Sequence, residues 1–502
     1  MNVKFFVFLT ATFVTTFSFG QKHVDVYSFL KLDLADEIEQ ADFLDIDPNQ
    51  AKALAAQYRQ LLANKTNVDP LLETNSKIIK KANENIHIEF KNGLPIKTPI
   101  EMVAIRGSDI DSEALHAIDN LNHYVQQRLG KYATEAISNG AVDASVFSGL
   151  QSGFKEFILS QRPAAKSVVK VPSLYEEWGI EKYLVTSPKE KPMLVFKILP
   201  SLNYARHYAT MLNAIRPQQK DRVFFDTTSP QKYQNYLNLA AASIQKQLAE
   251  PYDYVSFGYE KVWADVLKSN LSWSLVETKK ASDTINAGLN TNLLTLENRA
   301  SRKQIKLLIL SSDKTVWGEL APQMMKSFLH KDLSAVVFMG SAGAVSNKNN
   351  IYDLSVPGYF KDLKGSIRVN NIVSSSASLG IEGINYGASH GNTFSPIQQN
   401  KKYLTMAASE GFDSIDVEQS LIARTVRDYN IKKNSDILFG AINLITDKPI
   451  NALSQNENLY SLDSINYESK QAARLKAVRL LLESISSIEN KNSGVFSCQN
   501  LF

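Results

Sequence analysis

The pentapeptide Gly387-Ala388-Ser389-His390-Gly391 has the Gly-x-Ser-x-Gly spacing with which a sharp strand-to-helix turn exposes a nucleophilic serine. That turn needs a helix directly after the serine, and here Asn392-Thr393-Phe394-Ser395-Pro396 follows, whose proline breaks one. The triad order also demands an acid and then a histidine downstream, yet His390 is the last histidine of the chain. The sequence therefore argues against a serine hydrolase. The seven histidines (His23, His87, His116, His123, His207, His330, His390) make neither His-x-x-x-His nor His-Glu-x-x-His spacing, and His116 and His123 read as helix surface. Cys498, the single cysteine, lies near the C-terminus, so no intramolecular disulfide forms and a cysteine metal site or buried Cys–His nucleophile is disfavoured. Gly340-Ser341-Ala342-Gly343 lacks the Gly-Lys-Ser/Thr of a phosphate loop. No metal and no cofactor is implied.

What remains is a set of pieces in one region. In Phe338-Met339-Gly340-Ser341-Ala342-Gly343, glycines at the end of a strand would let backbone N–H groups approach a ligand closely. With Tyr352-Asp353-Leu354-Ser355-Val356 further on, this run resembles the strand-end signature of the purine nucleoside phosphorylase/nucleosidase superfamily, with Tyr352 where the family usually has Gly. Gly391-Asn392-Thr393-Phe394 resembles the family's base-binding loop, Gly-Asp-x-Phe, with Asn392 in place of the acid. Ser414-Ile415-Asp416-Val417-Glu418 resembles its Val-Glu-Met-Glu helix start, with Val417 for Met. Thr446-Asp447-Lys448-Pro449 resembles the closing strand, nearest to AMP nucleosidases and in feel to methylthioadenosine-type nucleosidases.

The resemblance implies an α/β fold over 301–490, a mostly parallel sheet flanked by helices. It implies a small-molecule nucleoside or nucleotide ligand and roles for single residues. Phe394 would stack on the base, with Asn392 and Gly391 beside it, and Glu418 would hold the ribose hydroxyls near Gly340 and Ser341. Asp447 would protonate the leaving purine. Cleaving an N-glycosidic bond builds positive charge on the sugar and negative charge on the base, so an acid at the base and a carboxylate at the sugar fit that chemistry. Phosphorylases of this superfamily carry an Arg just before the glycine run. Phe338-Met339 stands there, which favours water over phosphate as the attacking group. A phosphate-dependent phosphorylase and a non-catalytic nucleoside-binding protein stay open, as does homo-oligomerisation.

Those pieces need elements to hold them. Gln304–Leu310, a helix through 317–329 and Ser334–Met339 read as a βαβ unit, which brings the glycine run to a strand's carboxyl end, where open α/β sheets bind ligands. Further strands are expected near 367–373, 403–407 and 437–446, and a closing helix over 472–485. Residues 21–160 read as mainly helical, with a helix starting at Asp47-Pro48 and a strand pair, 86–90 and 100–105, joined by an Asn-Gly turn. A Pro/Ser/Lys-rich stretch over 159–174 reads as a linker, and 161–300 as an α/β region of unassigned role, either part of the catalytic domain or separate from it. At the start, Phe5 to Phe17 is an apolar run after Lys4, and Ser18 and Gly20 suit cleavage near Gly20, a pattern for export to the periplasm or medium. A net charge of +4 with no block of like charges gives no reason to expect polymeric nucleic acid, and no later run is apolar enough for a membrane.

Overall fold

The computed structural model describes residues 23–39, 48–64, 87–89, 102–105, 125–126, 128–173, 180–216, 222–284, 287–312, 316–362, 365–373, 382–399, 401–449 and 467–492. The expected export segment, His116, His123 and Cys498 lie outside them. The chain is a mixed α/β protein built on two sheets.

The first part carries helices α1 (His23–Leu30), α2 (Leu32–Glu39), α3 (Pro48–Ala63), α4 (Lys131–Ser138), α5 (Gln151–Gln161), α6 (Leu202–Ile215) and α7 (Ser229–Leu248). Its strands are β1 (His87–Glu89), β2 (Met102–Ile105), β3 (Asp143–Ser148), β4 (Ser167–Val171), β5 (Ile180–Thr186), β6 (Met193–Ile198) and β7 (Val223–Asp226). They lie in the order β1-β4-β5-β6-β3-β7-β2. β3 is parallel to both its neighbours and almost wholly buried, as a strand covered on both faces should be. The region 21–160, expected to be mainly helical, thus also supplies β1, β2 and β3. The two strands expected to pair do form, but at opposite edges of the sheet, β1 on β4 and β2 on β7. Alternation of apolar residues marks a strand without naming its partner. The expected linker contains β4, whose Val168 packs with Phe154, Phe157 and Tyr183.

A buried ion cluster helps to tie the N-terminal helices to this sheet. Lys182 on β5 is fully buried, with Nζ 2.8 Å from Glu37 Oε1 and 3.7 Å from Asp33 Oδ2. Asp33 also accepts the N–H groups of Tyr132 and Ala133 at the start of α4. Burial pushes the Asp33 carboxyl up to about 7 against the pull of Lys182. A folded-state pKa raised in this way gives stability that is complete at low pH and lost as pH rises through the folded value. We expect the urea midpoint to fall between about pH 4 and pH 7, and Asp33→Asn to flatten much of that slope. An unaltered slope in the variant would show that Asp33 is not its source.

The second sheet begins earlier than expected, at β8 (Tyr254–Phe257), and takes β9 (Trp273–Ser282) and β10 (Leu289–Asn298) as well. The unassigned stretch 161–300 therefore divides between the two sheets. β11 (Gln304–Ser312), β12 (Ala335–Ala344), β13 (Leu354–Asp362), β14 (Gly365–Arg368), β15 (Ile384–Asn392), β16 (Ser414–Asp416) and β17 (Leu438–Asp447) complete it, with helices α8 (Trp263–Ser269), α9 (Leu320–Lys326), α10 (Lys401–Ser409), α11 (Gln419–Lys433) and α12 (Tyr467–Asn492). The order is β14-β13-β15-β16-β12-β8-β11-β10-β9, and β17 pairs with both β12 and β13.

The sheet is mixed rather than mostly parallel. β11 and β12 are each parallel to β8, which lies between them, so the expected βαβ unit skips one strand. The β9–β10–β11 end and the β16–β12 and β13–β17 contacts are antiparallel. Residues 403–407, expected as a strand, lie in α10, where Leu404 and Ala407 pack on Phe412 and Ile415 at helical spacing. The pairings β12–β16, β16–β15, β15–β13, β13–β17 and β17–β12 close a ring, so five strands form a small barrel at one end of the sheet. α12 covers the other side, burying Ala477, Val478, Leu481 and Ile485 against Trp263 and Trp273.

Candidate functional site

Gly340–Gly343, expected as a turn, instead continues β12, because Ser341 and Ala342 keep the ladder with β17. The other side of the strand is where a ligand could approach. There β8 pairs with Ala335–Phe338 and β16 pairs with Gly343 and Ala344, so Met339–Ala342 have no strand partner on that side. This gap is where the strand changes from a parallel to an antiparallel neighbour, the kind of place where α/β sheets bind ligands. Gly258 has φ +100° and closes one side of it; a Cβ there would sit 2.1 Å from the Met339 carbonyl oxygen. The next residue, Tyr259, donates its hydroxyl to the Gly340 carbonyl at 2.7 Å. Ser341 is exposed.

The register across the barrel sets the other positions. Asp447 pairs with Gly343, Gly343 with Ile415, and Ile415 with Gly391. The ladder stops there: β16 ends at Asp416, and Glu418 is already the cap residue of α11. At about 4.8 Å per strand, Asp447 and the β16 backbone stand about 10 Å apart, with β12 between them. Two groups result. Phe394, Asn392, Gly391 and Glu418 gather where β15 and β16 end, and Asp447 lies beside Gly343 at the end of β17.

Within the first group the turn of α11 is heavily capped. Asp416 Oδ1 accepts the N–H of Glu418 at 3.2 Å, and both its oxygens accept from Gln419. Asn392 Oδ1 accepts from the Ser420 N–H, and its Nδ2 donates to Thr393 O, so this side chain braces the loop. Gly391 is tightly enclosed: a Cβ would meet Tyr403 Oη at 2.6 Å. Phe394 is partly exposed, with its N–H held by Gln398 Oε1.

Glu418 is partly exposed as a residue, but its Oε2 is sealed from solvent and has no hydrogen-bond partner. Burial, reinforced by the neighbouring Asp416, pushes its carboxyl well above the ordinary range, and backbone N–H groups of Gly318 and Val417 oppose this. A carboxyl oxygen in that condition is suited to accepting a ligand hydroxyl. Asp447 likewise keeps a little accessible surface, yet burial raises its carboxyl to about 6, against a 3.0 Å hydrogen bond from Thr446 Oγ1. It can therefore hold a proton close to neutrality.

Several neighbours escaped the sequence. Trp317 and Gly318 run beside this corner, and a Cβ on Gly318 would lie 3.6 Å from the Phe394 carbonyl oxygen. Trp317 stacks on Tyr204 of α6 with ring centroids 3.9 Å apart, and Glu319 accepts from Ser201 Oγ and Asn203 N–H at the start of that helix. His207 Nδ1 is 3.3 Å from Ser395 Oγ. The first sheet's helix thus packs directly against the Phe394–Glu418 corner, a long-range contact that no local pattern could signal. Ser389 lies inside β15, in no elbow. Ser414 Oγ lies 2.8 Å from His390 Nδ1, and His390 Nε2 lies 2.9 Å from Asp416 Oδ1 without hydrogen-bond geometry, but Ser414 is fully buried and its other neighbour is Ser355, so no acyl group could reach it. Among the described residues, no group of three or more His, Cys, Asp or Glu could hold a metal ion, and no helix is long and apolar enough to cross a membrane.

No family model matches the sequence, and no curated protein matches it. Solved structures do. The chain is similar to futalosine hydrolase of Helicobacter pylori at 12% identity, over 47% of this chain and 97% of that one, with a TM-score of 0.34. It is similar to a methylthioadenosine phosphorylase from an Antarctic soil metagenomic library at 12% identity, over 48% and 88%, TM-score 0.34. Purine nucleoside phosphorylase from Toxoplasma gondii is similar at 13% identity, over 50% and 94%, TM-score 0.34.

Proposed function

We propose that the chain is an exported member of the nucleoside phosphorylase/nucleosidase superfamily that hydrolyses the N-glycosidic bond of a purine nucleoside or nucleotide. The observation that carries the reading is the Glu418 carboxyl oxygen that is sealed from solvent without a hydrogen-bond partner, on the same barrel as Asp447. Asp447 is held near 6, and Glu418 has an oxygen lacking a donor. In this reading Glu418 Oε2 accepts from a ribose hydroxyl and orients the sugar, the base lies against Phe394, and Asp447 protonates the departing purine. The open side of β12 at Gly340 and Ser341 receives the sugar. The apolar run at Phe5–Phe17 supports export, which N-terminal sequencing of the native protein beginning at Gln21 would bear out and one beginning at Met1 would refute.

Water is the better attacking group. Holding a phosphate dianion usually takes Arg or Lys beside backbone donors. Phe338, at the position of the family's Arg, is buried and stacked on Phe257, with its ring over Gly340. Lys348, the next basic residue downstream, is paired with Asp413 at 3.0 Å. The protein should therefore release free base in phosphate-free buffer, with ribose or ribose 5-phosphate as co-product, measured by chromatography across a nucleoside and nucleotide panel. Strict dependence on added phosphate with ribose 1-phosphate as product would make it a phosphorylase. Binding without any base release would make it a nucleoside-binding protein.

A further inference from the structure

The barrel interior holds a line of polar side chains that the reaction itself does not use. His390 on β15 is fully buried, and its Nδ1 lies 2.8 Å from Ser414 Oγ, which is 3.1 Å from Ser355 Oγ. Asn443 Nδ2, a pure donor, lies 3.5 Å from the same Nδ1 and donates to Gln419 Oε1 at 3.0 Å. On the other side of the ring, Nε2 is 2.9 Å from Asp416 Oδ1, a close contact too bent for a hydrogen bond. Donors facing Nδ1 make that nitrogen an acceptor. A bare lone pair on Nε2 would repel the carboxylate, so the proton belongs on Nε2. Asp416 in turn caps the first turn of α11, whose first N–H belongs to Glu418. The line therefore joins β13, β15, β16 and β17 to the backbone that aims Glu418.

We propose that His390 is a positioning residue: the close electrostatic contact of its Nε2 edge with Oδ1 holds Asp416 in place, Asp416 fixes the start of α11, and that turn presents Glu418 to the ligand's hydroxyls. This rests on the nucleosidase reading for its kinetic consequence. Misplacing a substrate-orienting group by about 1 Å can cost about 10²-fold, so His390→Leu should lower kcat/KM on ribonucleosides by about 10–100-fold. The loss on 2′-deoxyribonucleosides, which offer Glu418 fewer hydroxyls, should be smaller, so that the ribo/deoxy preference falls about tenfold. His390→Gln, whose amide can still set an N–H edge against Asp416, should restore that preference to within a few-fold. Equal losses on both substrates, or no rescue by Gln, would overturn the proposal and leave His390 as packing.

A second measurement does not need activity. In ¹⁵N spectra of the wild-type protein, the histidine signal missing from His390→Gln should show Nε2 protonated and Nδ1 bare, and Asp416→Asn should shift Nε2. A proton on Nδ1 alone, or an Nε2 indifferent to Asp416→Asn, would overturn the link. If the wild type releases no base from any nucleoside, the nucleosidase reading fails, and the spectra still decide the line from His390 to Asp416.

Discussion

Replacing Asp447 by Asn should lower turnover by about 10²–10⁴, the usual worth of a general acid, while substrate binding changes far less. The side chain keeps nearly its shape, and Asn can still accept from Thr446 Oγ1, so packing beside Gly343 and Pro449 should survive. What is lost is the transferable proton. The wild-type rate should also depend on pH in a defined direction. With the carboxyl raised to about 6 by burial, the acid form is plentiful below that value and drains away above it, so kcat should fall as pH rises past about 6. The variant should lose this limb together with its rate. An Asn variant turning over within a few-fold of wild type would remove Asp447 from the chemistry.

The second large effect concerns stability. Lys182→Met should destabilise the fold by about 3–5 kcal/mol, because it removes the cation from a buried site and leaves the Glu37 carboxylate without its ion-pair partner. The Lys182 ammonium is held above its ordinary pKa by Glu37 and Asp33, despite a burial that opposes charge. Ser173 Oγ donates to both Glu37 oxygens, which orients that carboxylate but does not neutralise it. Adding Glu37→Gln to Lys182→Met should recover a large part of the loss, since the residual penalty is an unpaired charge rather than a cavity. Urea unfolding followed by circular dichroism measures both. A loss below about 1 kcal/mol in the single variant would show that water reaches the cluster and screens it.

Two strands of the second sheet were legible because the apolar runs Gln304–Leu310 and Ser334–Met339 are largely buried on both faces and read plainly in sequence. β8 was not, being four residues long between Pro251 and Gly258, although it is the strand that separates β11 from β12. β15 was hidden because Gly387-Ala388-Ser389-His390-Gly391 has neither β-branched nor alternating apolar residues; it is a strand because the barrel supplies its partners on both sides. The error at 403–407 has the same root: a five-residue apolar pattern fits a helix face as well as a strand.

At the candidate site, family resemblance marked Asp447 and Glu418, while burial, invisible in sequence, is what raises both carboxyls. Asn392 was expected beside the base and is engaged in holding the first turn of α11. Asp416 lies two residues before Glu418, and an acid just ahead of a helix was the available signal for its capping role. His390 figures in the sequence only in a hydrolase-like motif and in the spacing of the histidines, and neither signals a contact with Asp416. Tyr204 and Trp317 depend on two segments more than a hundred residues apart meeting in space, which no spacing rule encodes.

A crystal structure with a purine nucleoside bound tests the central claim most directly. The sugar should lie along the open side of β12, with a ribose hydroxyl donating to Glu418 Oε2, the purine against Phe394, and Asp447 within hydrogen-bond reach of a base nitrogen. A nucleoside held elsewhere, or one seated at Glu418 with Asp447 too far to reach the base, would contradict it.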